Sequence, residues 1–581
     1  MAKPVYILGI SCFYHDAAAA LLADGVPVAA AEEERFTRKK HDASFPVHAI
    51  RHCLSRAGIE SRELDRVVFY EKPILKLDRI FSTFLSTWPR SLGTFVTAMP
   101  PFLKRKLMVE RHVRQALGWD GPILYSDHHL SHAASAAFFS GLERTAVLTV
   151  DGVGEWASAA GWKAGPGELS QLWELRFPHS PGLLYTAFTQ YLGFRVNSAE
   201  CKVMGLAPYG RPVYRDMILD RIVRLRPDGS FRLELELFEF TWGRRMVGER
   251  FARLFGRPAR DAESPDLEQF HMDVASSIQA VLDEIVGRMA LDLMERTGLD
   301  SLCLAGGVAL NCVANERARR RTGARGFFVQ PAAGDAGGAL GAAAVVDRLL
   351  LGNGPRPPLE HVYLGPDFSQ AEIDRVLAEQ GAVSRRLEPD ELVRSVAQQL
   401  ELGRVIGWFQ GAMEFGPRAL GNRSILADPR PAGMREKLNA KIKFREGFRP
   451  FAPAVPLEEA PRWFGDTPES PYMLLTAQVS AGLVPIPAVT HVDGSARLQT
   501  VRQTANPLFH ALLQEFGRRT GVPILVNTSF NVRGEPIVCT PLDAWRCFMS
   551  SGLDDLVLGD RLLRKEDQPA AALSGGPREL D

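Results

Sequence analysis

The sequence predicts an α/β protein of two domains, the first built on a duplicated sheet. Three observations predict it. At 581 residues the chain is too long for one hydrophobic core. A strand–turn–strand–turn–strand rhythm occurs twice, in VYILGISCFYHDAAAALLADGVPVAAAEEERF (5–36) and AVLTVDGVGEWASAAGWKAGPGELSQLWELRF (146–177). A stretch rich in Pro and Gly, GNGPRPPLEHVYLGP (352–366), then precedes a fresh run of helix and strand patterns.

Each repeat opens with a buried apolar strand and breaks at a turn rich in Gly, Asp or His. A strand of small residues, a Gly turn and a third strand follow. Two such units, each followed by helices, read as a duplicated actin-like nucleotide-binding fold; two unrelated antiparallel meanders are the alternative. Between the repeats, residues 74–118 read as amphipathic helices broken by Pro and Gly, either a packed insertion or a wall over a substrate cleft. Residues 267–297 predict a long amphipathic helix. SLCLAGG is a buried strand, VALNCVANERARRR a helix, and GFFVQPAAGDAGGALGAAAVVDRLLL a strand, glycine turn and helix. Beyond the linker, AEIDRVLAEQ and DELVRSVAQQLELG predict helices and RVIGWFQG a strand; the tail QPAAALSGGPRELD reads as frayed.

Composition narrows the function. There are 69 basic and 68 acidic residues, which argues against a general nucleic-acid binder. The seven cysteines never form CxxC, so reduced thiols in a cytoplasmic protein are expected rather than disulfides or a zinc site. MAKPVYILGIS carries no signal-peptide pattern, and the apolar runs are too short or interrupted to span a bilayer.

The chain has 13 histidines, and three stand within five positions in DHHLSHAASAAF (127–138). On a helix, His128 and His132 share a face and His129 points away. Two imidazoles at i, i+4 form a metal clamp that wants carboxylates to complete it. Asp151, in the first turn of the second repeat, and Asp335, in GDAGGA, are the two obvious ones; helix packing is the competing reading. Gly306 and Gly307 in LAGGVALN, and Gly337 and Gly338 in GDAGGALG, stand between strand and helix. Backbone there could approach a nucleotide and its phosphates, though close packing also accounts for such glycines. In the first turn, His15 is the candidate general base, with Asp16 to orient it and His129 as the weaker alternative. Lys202 in CKVMGLAPYG could contact a phosphate or cap its loop.

Eight motifs in order, DHHLSHAASAAF, CKVMGLAPYG, LAGGVALNCVAN, GDAGGALGAA, EFGPRALGNRSILADPR, KIKFREGFRPFAPAV, HVDGSARLQTV and LVNTSFNVRGEPIV, resemble the NodU/CmcH family of O-carbamoyltransferases. The first part is similar to the universal tRNA threonylcarbamoyl-transfer enzyme, of actin-like (ASKHA) fold, and the second to YrdC-like α/β domains. The resemblance implies residues 1–355 as the carbamoyl-transfer domain and 366–570 as a carbamoyl-adenylate-forming domain. It implies ATP and carbamoyl phosphate as co-substrates, with transfer to a hydroxyl of a small natural product. Iron, as Fe(II), or another divalent ion would lie on His128, His132, Asp151 and Asp335, with Mg or Mn accompanying ATP. Lys202, Gly205, Gly306, Gly307, Asn311, Gly337 and Gly338 would line the nucleotide site.

For carbamoyl phosphate, the expected ligands are Arg418, Arg423, Lys443, Arg445, Arg449, Arg497, Ser529, Asn531 and Arg533. Lys443 and Arg445 match a KxR signature, and Ser529 and Asn531 an SxN signature. Read as a strand, KIKFR would put Lys441, Lys443 and Arg445 on one face. The family commonly forms dimers, so a homodimer is expected, with neither nucleic acid nor membrane as partner. A tRNA threonylcarbamoyl-transfer enzyme and a non-catalytic nucleotide-binding module are the rival readings. The near-zero charge opposes the first, and the second leaves the His/Asp set and the cation cluster unexplained.

Overall fold

The computed structural model describes residues 3–264 and 266–569, which form two compact units. The first runs to Glu33 and from His41 to Leu359; the second takes Glu34–Lys40 together with the chain from Glu360 on.

Among the described residues the first unit holds two five-stranded sheets. The strands of one are Tyr6–Ser11, Ala18–Ala23, Val26–Glu32, Arg66–Phe69 and Ile123–Tyr125; those of the other are Thr145–Val150, Ala157–Gly165, Glu168–Arg176, Ser301–Ala305 and Gly326–Val329. Both have the spatial order 3-2-1-4-5. In both, the first three strands form an antiparallel meander and strands 1, 4 and 5 run parallel. That doubled topology is the actin-like arrangement. The meanders need only tight turns, which is why local patterning exposed them; the parallel steps require crossovers. Helix Val47–Ala57 supplies the 3→4 crossover of the first copy, and Gln269–Thr297, ended by Gly298 at φ 63°, belongs to that of the second.

Helices His128–Ala137 and Asp335–Val345 pack on each other, and the latter also packs on strand Tyr6–Ser11. Glycine makes both contacts. A Cβ on Gly341 would lie 1.7 Å from the Ser131 carbonyl oxygen, and one on Gly9 would lie 1.8 Å from that of Ala339.

The predicted insertion helices form, as Pro73–Ser86, Leu92–Arg105 and Val109–Leu117. Their facing is unusual: Lys76, Arg79 and Lys106 are buried, while Ile74, Leu85, Trp88 and Val96 are exposed.

The second unit centres on an eight-stranded mixed sheet. Neighbouring residues of its inner strands serve opposite layers, as strand geometry requires. Ile406, Trp408, Leu426 and Val557 pack with Val396, Leu400, Phe509 and Phe516, whereas Phe409, Ile425, Leu556 and Leu558 pack with Ile373, Trp545 and Phe548. Segment Glu34–Lys40 completes this unit. Arg38 donates to the carbonyls of Ile537 (2.6 Å) and Pro536 (2.8 Å), Arg35 donates to that of Gly416 (2.9 Å), and Phe36 packs on Met413, Ala419, Ile537 and Cys539. All seven cysteines are free thiols, and no helix of the described residues is long and apolar enough to cross a membrane.

Candidate active site

Helix His128–Ala137 starts where Glu155 accepts from the His128 backbone N–H at 3.0 Å, a cap borrowed from the next turn. Its i, i+4 imidazoles face one point. His128 Nε2 lies 3.1 Å from His132 Nε2, 2.9 Å from Asp151 Oδ2 and 3.7 Å from Asp335 Oδ1. His132 Nε2 lies 3.6 Å and 3.8 Å from the same two oxygens. All four ligand atoms fall within 4.8 Å of one another, and His128, His132 and Asp335 are buried. Each carboxylate is aimed by its other oxygen. Tyr70 donates its hydroxyl to Asp335 Oδ2 at 3.1 Å, and the Gly307 N–H donates to Asp151 Oδ1 at 3.2 Å.

The residues fit a divalent transition metal. Two imidazole lone pairs 3.1 Å apart repel unless a proton or a cation lies between them, and two nitrogens with two carboxylate oxygens suit iron and its neighbours. Burial acts on the imidazole of His128 to lower its pKa, but Asp335 and Asp151 outweigh it and raise the value. Burial likewise opposes ionisation of Asp151, yet His128 and His132 hold its carboxyl well below the usual range.

In the first turn, Asp16 adopts a left-handed conformation (φ 50°) and joins two histidines, His15 Nδ1 at 3.0 Å and His41 Nδ1 at 2.7 Å. Sequence reasoning missed His41, since nothing in KKHDASFP marks a partner 25 residues away. Burial pulls the His15 pKa down, but Asp335 and then Asp16 push it up to about 9. So placed, His15 is a proton donor at neutral pH, and its use as a base requires the Asp335 charge to be neutralised.

His129, the weaker candidate base, is corrected. It is buried, its Nε2–H donates to the Ala157 carbonyl at 3.0 Å and its Nδ1 accepts from the Thr149 hydroxyl at 2.8 Å. Burial and the flanking His128 and His132 pull its pKa down to about 3, so it stays neutral and ties the helix to the sheet.

The glycines serve the ligands through packing. Gly306 needs φ +91°, and a Cβ on Gly307 would lie 2.8 Å from Asp151 Oδ1. A Cβ on Gly337 would meet the Ala332 carbonyl, and one on Gly338 the Tyr70 ring. Gly205 is buried in helix Glu200–Leu206, and Lys202 of that helix holds its ammonium 5.7 Å from the Phe194 ring centroid. Asn311 caps helix Cys312–Thr322 through the Ala314 N–H and pairs with Gln279.

In the second unit, KIKFR is not a strand. Asn439–Lys443 is a helical turn, closed by Phe444 at φ 47°, because the preceding helix Met434–Leu438 runs on into it. Alternation therefore fails: Lys441 is exposed and Lys443 buried. The KxR and SxN signatures do meet. Lys443 Nζ donates to Asn531 Oδ1 (2.8 Å), to the Ser529 hydroxyl (3.2 Å) and to the Ser529 carbonyl. Burial, then Arg445, pushes its pKa well below the usual lysine range. Arg445 stacks 4.6 Å from the Phe451 centroid and donates to Asn439 Oδ1, while Arg533 reaches the Phe444 carbonyl at 3.3 Å. Arg449 follows in the loop after this turn, and Arg497 ends strand Ser495–Arg497.

Arg423 is a correction. It is fully buried 3.6 Å from the Phe409 centroid and donates to the carbonyls of Gln410, Asn422, Pro366 and Gly411, so it ties loops together and offers no fork to a phosphate. Arg418 and Arg423 each bury an Nε that has no hydrogen-bond partner among the described residues. Glu414, also missed, gathers the N–H groups of Leu420, Asn422 and Arg423 on one oxygen and so shapes the GPRALGNR loop.

Known proteins resemble this chain in sequence. Residues 6–344 match the carbamoyltransferase N-terminus family model and residues 397–565 the carbamoyltransferase C-terminus model. An uncharacterised protein of Synechocystis sp. is 49% identical over 97% of both chains. The nodulation protein NolNO of Sinorhizobium fredii is 39% identical over 97% of this chain and 82% of its own. A 3'-hydroxymethylcephem-O-carbamoyltransferase of Amycolatopsis lactamdurans is 42% identical over 45% of this chain and 48% of its own. Set beside the doubled sheet and the converging His/Asp cluster, these matches establish that the chain belongs to the carbamoyltransferase family and is a transferase.

Proposed function

We propose that this carbamoyltransferase is an ATP-dependent O-carbamoyltransferase acting on a hydroxyl of a small natural product. The observation that carries the reading is the convergence of His128, His132, Asp151 and Asp335 on one point beside the His15–Asp16 turn. The relative named as a cephem O-carbamoyltransferase supports oxygen as the acceptor atom.

The donor chemistry falls to the second unit. Carbamoyl phosphate, ATP and one water give carbamoyl-adenylate, phosphate and pyrophosphate. Arg418, Arg445, Arg449, Arg497 and Arg533 supply positive charge for the phosphoryl oxygens, and Lys443 is held by Ser529 and Asn531 to donate a hydrogen bond beside them. In the first unit a divalent ion on the four ligands would act as a Lewis acid toward the mixed anhydride. Tyr70 and the Gly307 N–H hold the two carboxylates in place. The acceptor oxygen forms the new C–O bond, AMP departs, and, with the Asp335 charge neutralised by the bound ion so that His15 is neutral, the acceptor proton would pass to His15 Nε2 while Asp16 fixes Nδ1.

The test combines a donor assay with an acceptor assay. ATP–pyrophosphate exchange should require carbamoyl phosphate. A panel of hydroxylated natural products should yield one product heavier by a single carbamoyl group. His128→Ala should lose bound metal and at least about 100-fold of transfer while keeping the exchange reaction. Exchange independent of carbamoyl phosphate, or transfer undiminished in His128→Ala, would refute the scheme.

A further inference from the structure

Helix Pro73–Ser86 is turned inside out. Its buried residues are Pro73, Lys76 and Arg79, while Ile74 and Leu85 are 74% and 69% exposed. An amphipathic helix ordinarily buries its apolar stripe, and a buried cation costs several kcal/mol unless it is paired. Lys76 and Lys106 share one partner, the fully buried Glu71. Arg79 has none. It is 9% exposed, its guanidinium lies 5.2 Å from the Phe177 ring centroid, and it makes no ion pair or side-chain hydrogen bond with the described residues. Glu155 is the other carboxylate in its field, and that side chain is committed to the backbone N–H groups of Lys72 and His128.

The three cations flank the reacting region. Lys76 Nζ lies 5.0 Å and Lys106 Nζ 5.7 Å from the Tyr14 ring centroid, and the Tyr14 and His15 rings are 4.5 Å apart. On the other side, Trp156, from the turn after Asp151, donates to Asp78 of the same helix at 3.0 Å. The helix thus spans both repeated turns. It lies in the connection between strands 4 and 5 of the first sheet, which in the second sheet is filled only by the short helix Cys312–Thr322 and its flanking turns. An element added to one copy alone is suited to the substrate that varies, not to the shared donor.

We infer that Arg79, flanked by Lys76 and Lys106, is a specificity-determining anion site that receives a carboxylate, sulfate or phosphate borne by the acceptor. The inference rests on the transfer reading above and adds the acceptor's charge to it. A planar guanidinium held without a partner is pre-organised for two parallel hydrogen bonds to such a group.

The experiment compares matched acceptors with the full-length protein, ATP and carbamoyl phosphate: 4-(hydroxymethyl)benzoic acid against its methyl ester, and 3-hydroxybutyrate against its methyl ester. The wild type should favour the acids by about 10-fold or more in kcat/KM. Arg79→Met should bring that ratio close to one, and Arg79→Lys should keep part of it, which separates recognition from a folding defect. A wild-type ratio near one overturns the inference while leaving the transfer reading standing. An equal loss on acid and ester in Arg79→Met also overturns it and assigns the side chain to the donor's phosphate. If neither member of any pair gains a carbamoyl group while carbamoyl phosphate-dependent exchange persists, both acceptor pairs fail and the inference falls with them.

Discussion

Asp151 and Asp335 each commit one oxygen to the protein and turn the other toward the imidazoles. The convergence of the two histidines and two aspartates was legible because helical spacing fixed the histidines and glycine turns framed the carboxylates. Tyr70, Glu155 and His41 were not, since residue type does not reveal which distant group a side chain will aim. Arg423 shows the reverse failure: a motif displays charge but not burial. Asp283 permits a sharp residue-scale test. Burial, against a hydrogen bond from Gln279 at 2.7 Å, raises its pKa to about 6. An acid whose folded pKa lies above its unfolded value near 4 is penalised once ionised, so the penalty is absent below that value and complete above about 6. Asp283→Asn should therefore gain about 1–3 kcal/mol at pH 8 and little at pH 4. Denaturant titrations at the two pH values check the sign.

Elements read well wherever contacts were local. Both meanders, the long helix and the helices of the insertion follow their patterns, whereas KIKFR shows that five residues cannot separate a strand from one more helical turn. The inside-out insertion helix was visible as amphipathic but not as inverted, because periodicity gives a stripe without saying which side faces inward. The seam between helices His128–Ala137 and Asp335–Val345 carries three of the four residues of the His/Asp cluster. Gly341→Ala would drive a methyl group into the Ser131 carbonyl. The expected result is a loss of about 1–3 kcal/mol or more in stability. Metal content after dialysis against limiting iron should fall with it, by about 10-fold in affinity.

For the whole molecule, the doubled sheet was legible because each copy repeats its own turns, and the linker marked a change of pattern. The assignment of Glu34–Lys40 to the second unit was not legible, since nothing in ERFTRKK announces partners so far along the chain. Arg38→Ala removes the donors to two carbonyls. It should cost about 1–3 kcal/mol, and amide hydrogen exchange at residues 536–543 should accelerate while the sheets of the first unit keep their protection.

Arg38 and the carbonyl of Ile537 stand 499 positions apart. During synthesis, this short strap leaves the ribosome long before the surface it will fill has been translated. The nascent chain must carry Phe36 and its flanking arginines without their final company, and the last strands made decide when that wait ends. Large separations of this kind slow folding. The second half of the chain, produced alone, would be missing a piece of its own interior.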